Sequence, residues 1–315
     1  MDLPEFDGAT GWLNSPPLRA ADLRGRVVLV DFCTYTCINW LRTLPYIRAW
    51  AAAYEEHGLT VVGVHTPEFE VEHDLGNVRR AVRDMHVAHP LAIDNDYAVW
   101  TAFDNHYWPA RYVADAQGRI RHHHFGEGNY EQTETILQRL LADAGGDPGP
   151  EPVPVEPAGV EAGADWDSLW SPENYLGSDR TENFASPDGA VLGGRHGYAV
   201  PDRLRLNQWA LAGDWTIRRQ AVVLHAAEGR IAYRFHARDV HLVMGAADRP
   251  VRFRVRLDGR PPGDAHGLDV DGQGDGVAGA PRLYQLLRQP APVVERTVEI
   301  TFLDPGLQAY VFTFG

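Results

Sequence analysis

Residues 27–46, VVLVDFCTYTCINWLRTLPY, begin as an apolar run and continue into a helical pattern. The run VVLVDF predicts a buried strand, and INWLRTLPYIRAWAAAYEEHG predicts a helix that ends at Gly58. LTVVGVHTP then predicts a second buried strand, and EHDLGNVRRAVRDMH predicts a second helix. Consecutive strand and helix units place their strands parallel, so the chain is expected to begin as an α/β fold.

The rest of the chain divides by its composition. ARYVADAQGRIRHHHF predicts a hairpin, and a closing helix is expected over residues 131–142. Residues 145–164 carry frequent prolines and predict a stiff, polyproline-like linker. Beyond them, short alternating runs punctuated by Gly, Asp and Pro predict an all-β sandwich. We therefore expect an α/β domain over 1–144, a linker over 145–164 and a β-sandwich domain over 165–315.

Composition excludes several classes of partner. The net charge is −14 with only 29 Lys and Arg residues, so nucleic acid and anionic membranes would be repelled. No apolar run approaches the roughly 18 residues of a membrane span. The start of the chain, MDLPEFDGATGW, lacks a signal-peptide pattern, and a cytoplasmic location is expected for the sequence as written. No cofactor is expected.

The two cysteines, Cys33 and Cys37, are too few for a disulfide scaffold, and their closeness is the notable feature. Cys37 directly precedes the first predicted helix. Unpaired amides and the helix dipole at this position favour a thiolate and can depress the pKa of a cysteine below about 8.5. Cys37 is therefore the candidate nucleophile.

The spacing of Asp31, Cys37 and Pro45 resembles that of thioredoxins. The surrounding residues are more similar to the thioredoxin-like domain of DipZ and TlpA-type proteins, typically DFWTYTCINCxRTLPY. NYLGSDRTENFASP and RPVRFRVRLDGRPPGDAHGLDVD extend the resemblance into the second domain. The resemblance implies a thioredoxin fold followed by a jelly-roll-like β-sandwich, and thiol-disulfide oxidoreductase chemistry.

Two residues depart from the family motif, which has Trp at position 33 and Cys at position 40. This chain has Cys33 and Trp40 there, so the resolving thiol of the Cys-x-x-Cys pair is missing. Cys37 could attack a disulfide or a peroxide alone, with an external thiol as reductant. Alternatively, Cys33 could resolve the intermediate if the turn brings both cysteines within disulfide reach. Cys33 could also be a small buried residue.

Further site residues follow from the resemblance. Asp31 would lie beneath the active site, where burial raises its pKa and allows it to relay a proton. Pro109, preceded by Trp108, would be a cis-proline that faces Cys37 and positions the partner. Thr36 and Trp40 would be neighbours of the thiol. Trp40 would shield it, offer a stacking surface, or serve as a packing residue.

A non-enzymatic alternative is a copper carrier. Cys-x-x-x-Cys on a thioredoxin fold resembles the copper site of Sco proteins, and thiolates with imidazole suit copper. Cys33 and Cys37 would then bind the metal with His106 or His124, and hairpin pairing is expected to place His124 opposite Pro109. The interpretation of the His triplet as a solvated strand face stands beside this one.

The second domain carries aromatic residues that could form a carbohydrate platform or the core of the sandwich, namely Trp209, Trp215, Tyr233 and Phe235. A carbohydrate or a protein is the expected partner if the domain binds a ligand, and a scaffold with an inactive redox site is a further alternative. DVDGQGDG places Asp269, Asp271 and Asp275 as in a calcium loop. Because the twelfth position is Ala280, we interpret the segment as a turn.

Overall fold

The computed structural model describes all residues from 1 to 315, in two compact units, Met1–Ala162 and Gly163–Gly315. The proline-rich segment lies mostly in the first unit. There Val153 packs against the core, and Glu161 pairs with Arg48 at 2.8 Å. The domain limits at 144 and 165 stay predictions. None of the helices combines the length and apolar character needed to cross a bilayer.

The first unit has one mixed sheet and four α-helices. The strands are β1 (Gly11–Leu13), β2 (Val27–Cys33), β3 (Leu59–His65), β4 (Leu91–Ile93), β5 (Ala110–Ala114) and β6 (Ile120–Phe125). The helices are α1 (Ile38–Tyr54), α2 (Leu75–Asp84), α3 (Ala98–Ala102) and α4 (Tyr130–Asp143). The strand order is β1-β4-β3-β2-β5-β6, with β2, β3 and β4 parallel and the remaining pairs antiparallel. This is the thioredoxin fold that the sequence predicts.

The central strand β2 is buried along its whole length, because layers of apolar side chains cover both sheet faces. Val28, Val30 and Phe32 enter one core. Val27 and Leu29 enter the other, which α1 and α4 cover. Since β2 continues through a short turn into α1, the carboxyl end of a fully buried strand delivers Cys37 to the start of that helix.

The second unit is all β, as predicted. Its strands are β7 (Asn174–Tyr175), β8 (Arg195–Tyr198), β9 (Trp209–Ile217), β10 (Val222–Leu224), β11 (Gly229–Phe235), β12 (Asp239–Ala246), β13 (Val251–Leu257), β14 (Asp275–Ala278), β15 (Arg282–Arg288), β16 (Arg296–Phe302) and β17 (Leu307–Phe314). They form a curled antiparallel sheet in the order β14-β13-β16-β11-β9-β10-β17-β12-β15, with β7 on β17 and β8 on β9. The sheet encloses one large apolar core, consistent with a β-sandwich.

The structure of the second unit tests the interpretation of its aromatic residues as a carbohydrate platform or as core. The four candidate aromatic residues, Trp209, Trp215, Tyr233 and Phe235, are each 0% exposed. They form core, and their interpretation as a carbohydrate platform is wrong, because rings enclosed by the sheet present no surface to a sugar.

The aspartates of residues 269–276 are held within the protein. Asp271 accepts hydrogen bonds from the amides two and four residues later, each at 2.9 Å. Asp269 pairs with Arg282 at 2.5 Å, and Asp275 pairs with Arg254 at 2.6 Å. The segment is a turn, as interpreted, in which Asp271 binds backbone amides while Asp269 and Asp275 pair with arginines.

Candidate active site

Cys37 caps the N-terminus of α1, at the end of the turn that leaves β2. Its backbone is extended, with φ −72° and ψ 116°, and its carbonyl accepts a hydrogen bond from the Leu41 amide at 2.9 Å. The Cys37 amide donates to the carbonyl of Thr34 at 3.2 Å, which closes the turn. Amides in the first turn of a helix lack helical partners and favour negative charge. The half-buried Cys37 therefore lies where a thiolate is stabilised.

Pro109 lies beside this thiol, as predicted. The Trp108–Pro109 peptide bond is cis, and the Cys37 Sγ donates to the Trp108 carbonyl at 3.9 Å. The Trp108 indole donates to the Thr66 carbonyl at 3.0 Å, and its ring packs on Trp100 at 4.3 Å. These contacts hold the loop before β5 against the start of α1.

Trp40 points into the protein. Its indole N–H donates to Asp31 Oδ2 at 2.8 Å, and Trp40 is only 3% exposed. The interpretation of Trp40 as a stacking surface is wrong, because the ring is enclosed and its polar atom is bound to a buried carboxyl. Burial raises the pKa of Asp31 to about 7, against the hydrogen bond from Trp40 and the charge of Arg111, which lower it.

Arg111 belongs to the site and is missing from the sequence predictions. It is the cross-strand partner of Asp31 between β2 and β5, and it is 0% exposed. One guanidinium nitrogen, Nη2, donates to the Gly128 carbonyl at 2.5 Å, and the group lies 5.0 Å from the centre of the Tyr130 ring. Burial lowers the pKa of Arg111. A lone arginine two residues after Pro109, in an otherwise apolar strand, was the available signal.

Cys33 is inaccessible. It is 1% exposed, and its Sγ donates to the Val64 carbonyl at 3.5 Å. Burial, with the charges of Asp31 and Glu72, raises the pKa of Cys33 well above its ordinary value. Both cysteines are thiols in this structure rather than a disulfide. Cys33 therefore packs as a small buried residue, and its burial favours the protonated thiol.

The Thr36 hydroxyl stabilises the turn between β2 and α1 by binding Glu72 rather than the Cys37 thiol. Its Oγ1 donates to Glu72 Oε1 at 2.6 Å, and Glu72 is 0% exposed. Glu72 Oε2 accepts from the amides of Glu68 and Phe69 at 2.6 and 2.9 Å. Burial raises the pKa of Glu72. Sequence reasoning missed Glu72, because a carboxylate in an acidic segment ordinarily lies in solvent.

The structure does not bring the proposed copper ligands together. The His106 side chain is 69% exposed and lies 3.4 Å from Asp104. No group of three or more His, Cys, Asp or Glu side chains could hold a metal ion. The donor set of Cys33, Cys37 and a histidine is therefore not assembled.

The predicted position of His124 is wrong. In the β5–β6 hairpin, His124 pairs with Arg111, and Phe125 pairs with Ala110. The register shifts between Val113 and Ala114, where a bulge displaces the strands. His124 Nε2 lies 3.2 Å from the Glu127 carbonyl. The histidine is consequently held by the loop after β6 and does not lie opposite Pro109.

Comparisons with known proteins agree with this geometry. Residues 2–123 match the AhpC/TSA family, and residues 171–315 match a domain described as Thioredoxin like C-terminal domain. Protein DipZ of Mycobacterium tuberculosis is 36% identical over 318 residues, which cover 99% of this chain and 42% of DipZ. The chain thus spans less than half the length of this relative.

Shorter proteins match the first unit alone. The thiol-disulfide oxidoreductase YkuV of Bacillus subtilis is 30% identical, over 45% of this chain and 95% of YkuV. Among solved structures, a thioredoxin-like protein in the oxidised form, solved in solution, is 30% identical with a TM-score of 0.42, over 45% of this chain and 95% of that chain. With Cys37 and Pro109 in place, the chain belongs to the thioredoxin-like redoxin family of the thiol-disulfide oxidoreductases, with a thioredoxin-like C-terminal domain.

Proposed function

We propose that this redoxin acts on disulfide-bearing substrates through Cys37 alone. The observation that carries the proposal is the Trp40–Asp31 hydrogen bond. At the position where the family motif has its second cysteine, a buried indole is fixed to the carboxyl beneath the site. Cys33, the other thiol, is enclosed and its pKa is raised, so it is a poor internal nucleophile.

The proposed cycle uses external thiols. The Cys37 thiolate attacks one sulfur of the substrate disulfide, forms a mixed disulfide and releases the first substrate thiol. An external thiolate then attacks the Cys37 sulfur and releases the second substrate thiol. A second external thiolate then attacks the sulfur of the first external thiol in this new mixed disulfide. This step releases the Cys37 thiolate and forms the disulfide of the two external thiols. One substrate disulfide is reduced, and two external thiols become one disulfide.

The neighbouring groups have supporting roles in this proposal. Asp31, with a pKa of about 7, exchanges a proton near neutral pH and so sets the charge beneath the site. Pro109 and the Trp108 carbonyl position the substrate chain beside the thiol. A cytoplasmic location suits the cycle, because that compartment supplies reduced thiols.

Turnover by cysteine variants tests the proposal. Reduction of hydroxyethyl disulfide is followed with glutathione as the external thiol, for the full chain and for the Cys37→Ser and Cys33→Ser variants. We expect Cys37→Ser to lose the activity and Cys33→Ser to retain it. Loss of turnover in Cys33→Ser with an intact fold contradicts the single-thiol cycle. Hydrogen peroxide in place of the disulfide determines whether peroxide is a second substrate.

A further inference from the structure

An exposed aromatic surface, formed by Tyr107, His123 and Phe125, lies in the loop before β5 and at the end of β6. Tyr107 is 52% exposed, Phe125 is 39% exposed, and His123 is exposed as well. The centre of the Phe125 ring lies 4.9 Å from that of Tyr107 and 5.0 Å from that of His123, so the three rings are in contact. Single exposed apolar residues are ordinary, whereas a contiguous exposed cluster indicates contact with another molecule.

The aromatic surface is continuous with the thiol site. Tyr107 directly precedes Trp108, whose carbonyl lies 3.9 Å from the Cys37 Sγ. Phe125 pairs with Ala110 across the β5–β6 hairpin, next to the cis-proline. Because neighbouring strands are about 4.8 Å apart, Phe125 lies about one strand spacing from the loop that contacts the thiol. A chain bound at Cys37 can therefore reach these rings.

Buried contacts hold the loop that carries Tyr107. The Tyr107 carbonyl accepts a hydrogen bond from Asn105 Nδ2 at 3.0 Å, and Asn105 is 1% exposed. The Tyr112 hydroxyl donates to Asn105 Oδ1 at 3.3 Å. The aromatic surface thus rests on an ordered backbone, which reduces the conformational entropy lost when a ligand binds.

Strand β6 also offers main-chain hydrogen bonds to a ligand, because it is the edge of the sheet and pairs only with β5. The Gly126 amide donates to the Pro109 carbonyl at 2.8 Å. Since the bonds of an antiparallel pair alternate, the main-chain groups of His123 and Phe125 face away from β5. No backbone hydrogen bond from another segment reaches them. Unpaired main-chain groups at a strand edge suit an extended polypeptide rather than a small molecule.

We propose that the aromatic surface binds an aromatic side chain of a polypeptide substrate whose disulfide Cys37 attacks. This inference rests on the proposed function and adds the substrate class. A strand added to β6 lies two strand spacings, about 10 Å, from β5, and an extended chain crosses that distance in about three residues. The aromatic residue is therefore expected about three residues from the substrate cysteine, where its ring packs against Tyr107 and Phe125.

Two synthetic peptides test the inference on the reduced full chain. Each carries one cysteine as a mixed disulfide with thionitrobenzoate, and the peptides differ only in having Phe or Ser at both positions three residues from that cysteine. The Cys37 thiolate attacks the peptide sulfur, the S–S bond breaks and thionitrobenzoate leaves as a thiolate. Absorbance follows the rate, and intact mass identifies the Cys37–peptide disulfide. We expect a second-order rate constant about tenfold higher for the Phe peptide.

Substitutions assign this difference to the surface. Phe125→Ser and Tyr107→Ser should each lower the rate constant of the Phe peptide toward that of the Ser peptide, whereas Tyr107→Phe retains the ring and should preserve the difference. Two separate serine variants guard against a folding defect in either one, and thermal unfolding verifies that each is folded. Trp166→Ser removes an exposed aromatic residue of the second unit and should leave the difference unchanged.

Turnover of hydroxyethyl disulfide, which has no aromatic group, separates this inference from the proposed function. Absence of that turnover in the unchanged chain contradicts the proposed function. Turnover with equal rate constants for the two peptides, or with an undiminished difference in folded Tyr107→Ser and Phe125→Ser, overturns the substrate class alone. A dimer of the reduced chain in sedimentation that Phe125→Ser dissociates also overturns it, because a second copy then covers the surface.

Discussion

The Asp31→Asn variant removes the buried carboxyl beneath Trp40 and keeps an oxygen that can accept the indole hydrogen bond. Burial raises the pKa of Asp31 from 3.8 to about 7. Between these values the folded chain binds more protons at this site than the unfolded chain. Stability is therefore lost as the pH rises from about 4 to 7, and no further loss from Asp31 occurs above that range.

The magnitude follows from proton linkage at about 1.36 kcal/mol per pKa unit. With the two pKa values above, Asp31 destabilises the folded state by about 2 kcal/mol at pH 5 and about 4 kcal/mol at pH 8. Relative to the unchanged protein, Asp31→Asn should gain about 2–3 kcal/mol more stability at pH 8 than at pH 5.

Urea unfolding of both proteins at the two pH values measures this difference, and groups common to both proteins cancel. Asp115→Asn is a matched control. Burial opposes ionisation of Asp115, but hydrogen bonds from Arg119 outweigh it and hold the pKa of Asp115 below its ordinary value. Its effect should not change between pH 5 and 8. An equal effect of Asp31→Asn at both pH values refutes the assigned environment of Asp31.

Two other substitutions test the turn and the missing thiol. On oxidation, Trp40→Cys should form a disulfide between Cys37 and the introduced cysteine, which intact mass detects as a loss of two hydrogens. Trp40→Phe should show no such loss. An unchanged mass in oxidised Trp40→Cys counts against the placement of position 40 beside Cys37. Thr36→Val leaves a buried Glu72 oxygen without its donor and should destabilise the chain by about 1–3 kcal/mol in urea unfolding, and Thr36→Ser should restore stability. Equal stability of Thr36→Val and the unchanged chain contradicts a structural role for this bond.

Local sequence determined the parts of the site that could be predicted. The apolar run of β2, the turn after it and the pattern of α1 fix Cys37 at a helix start. Pro109, directly before β5, places its loop beside the start of α1. Short elements, such as the three residues of β4, carry too little periodicity to be predicted.

Residues whose position depends on tertiary contacts could not be predicted. The position of His124 depends on a bulge in β5–β6, which alternation alone does not reveal. Trp40 could turn toward solvent or inward, and only the buried carboxyl of Asp31 decides between them. The burial of Arg111 follows from packing around β5, which composition does not specify.

The most direct measurement of the single-thiol account is the reaction of the reduced chain with Ellman's reagent, followed by absorbance and intact mass. We predict that each folded chain releases one thionitrobenzoate. The second thionitrobenzoate of the reagent should remain bound to Cys37 as a mixed disulfide until an external thiol is added. Cys33 should react only after unfolding, because it is buried. Release of two thionitrobenzoates with formation of a Cys33–Cys37 disulfide would contradict the account.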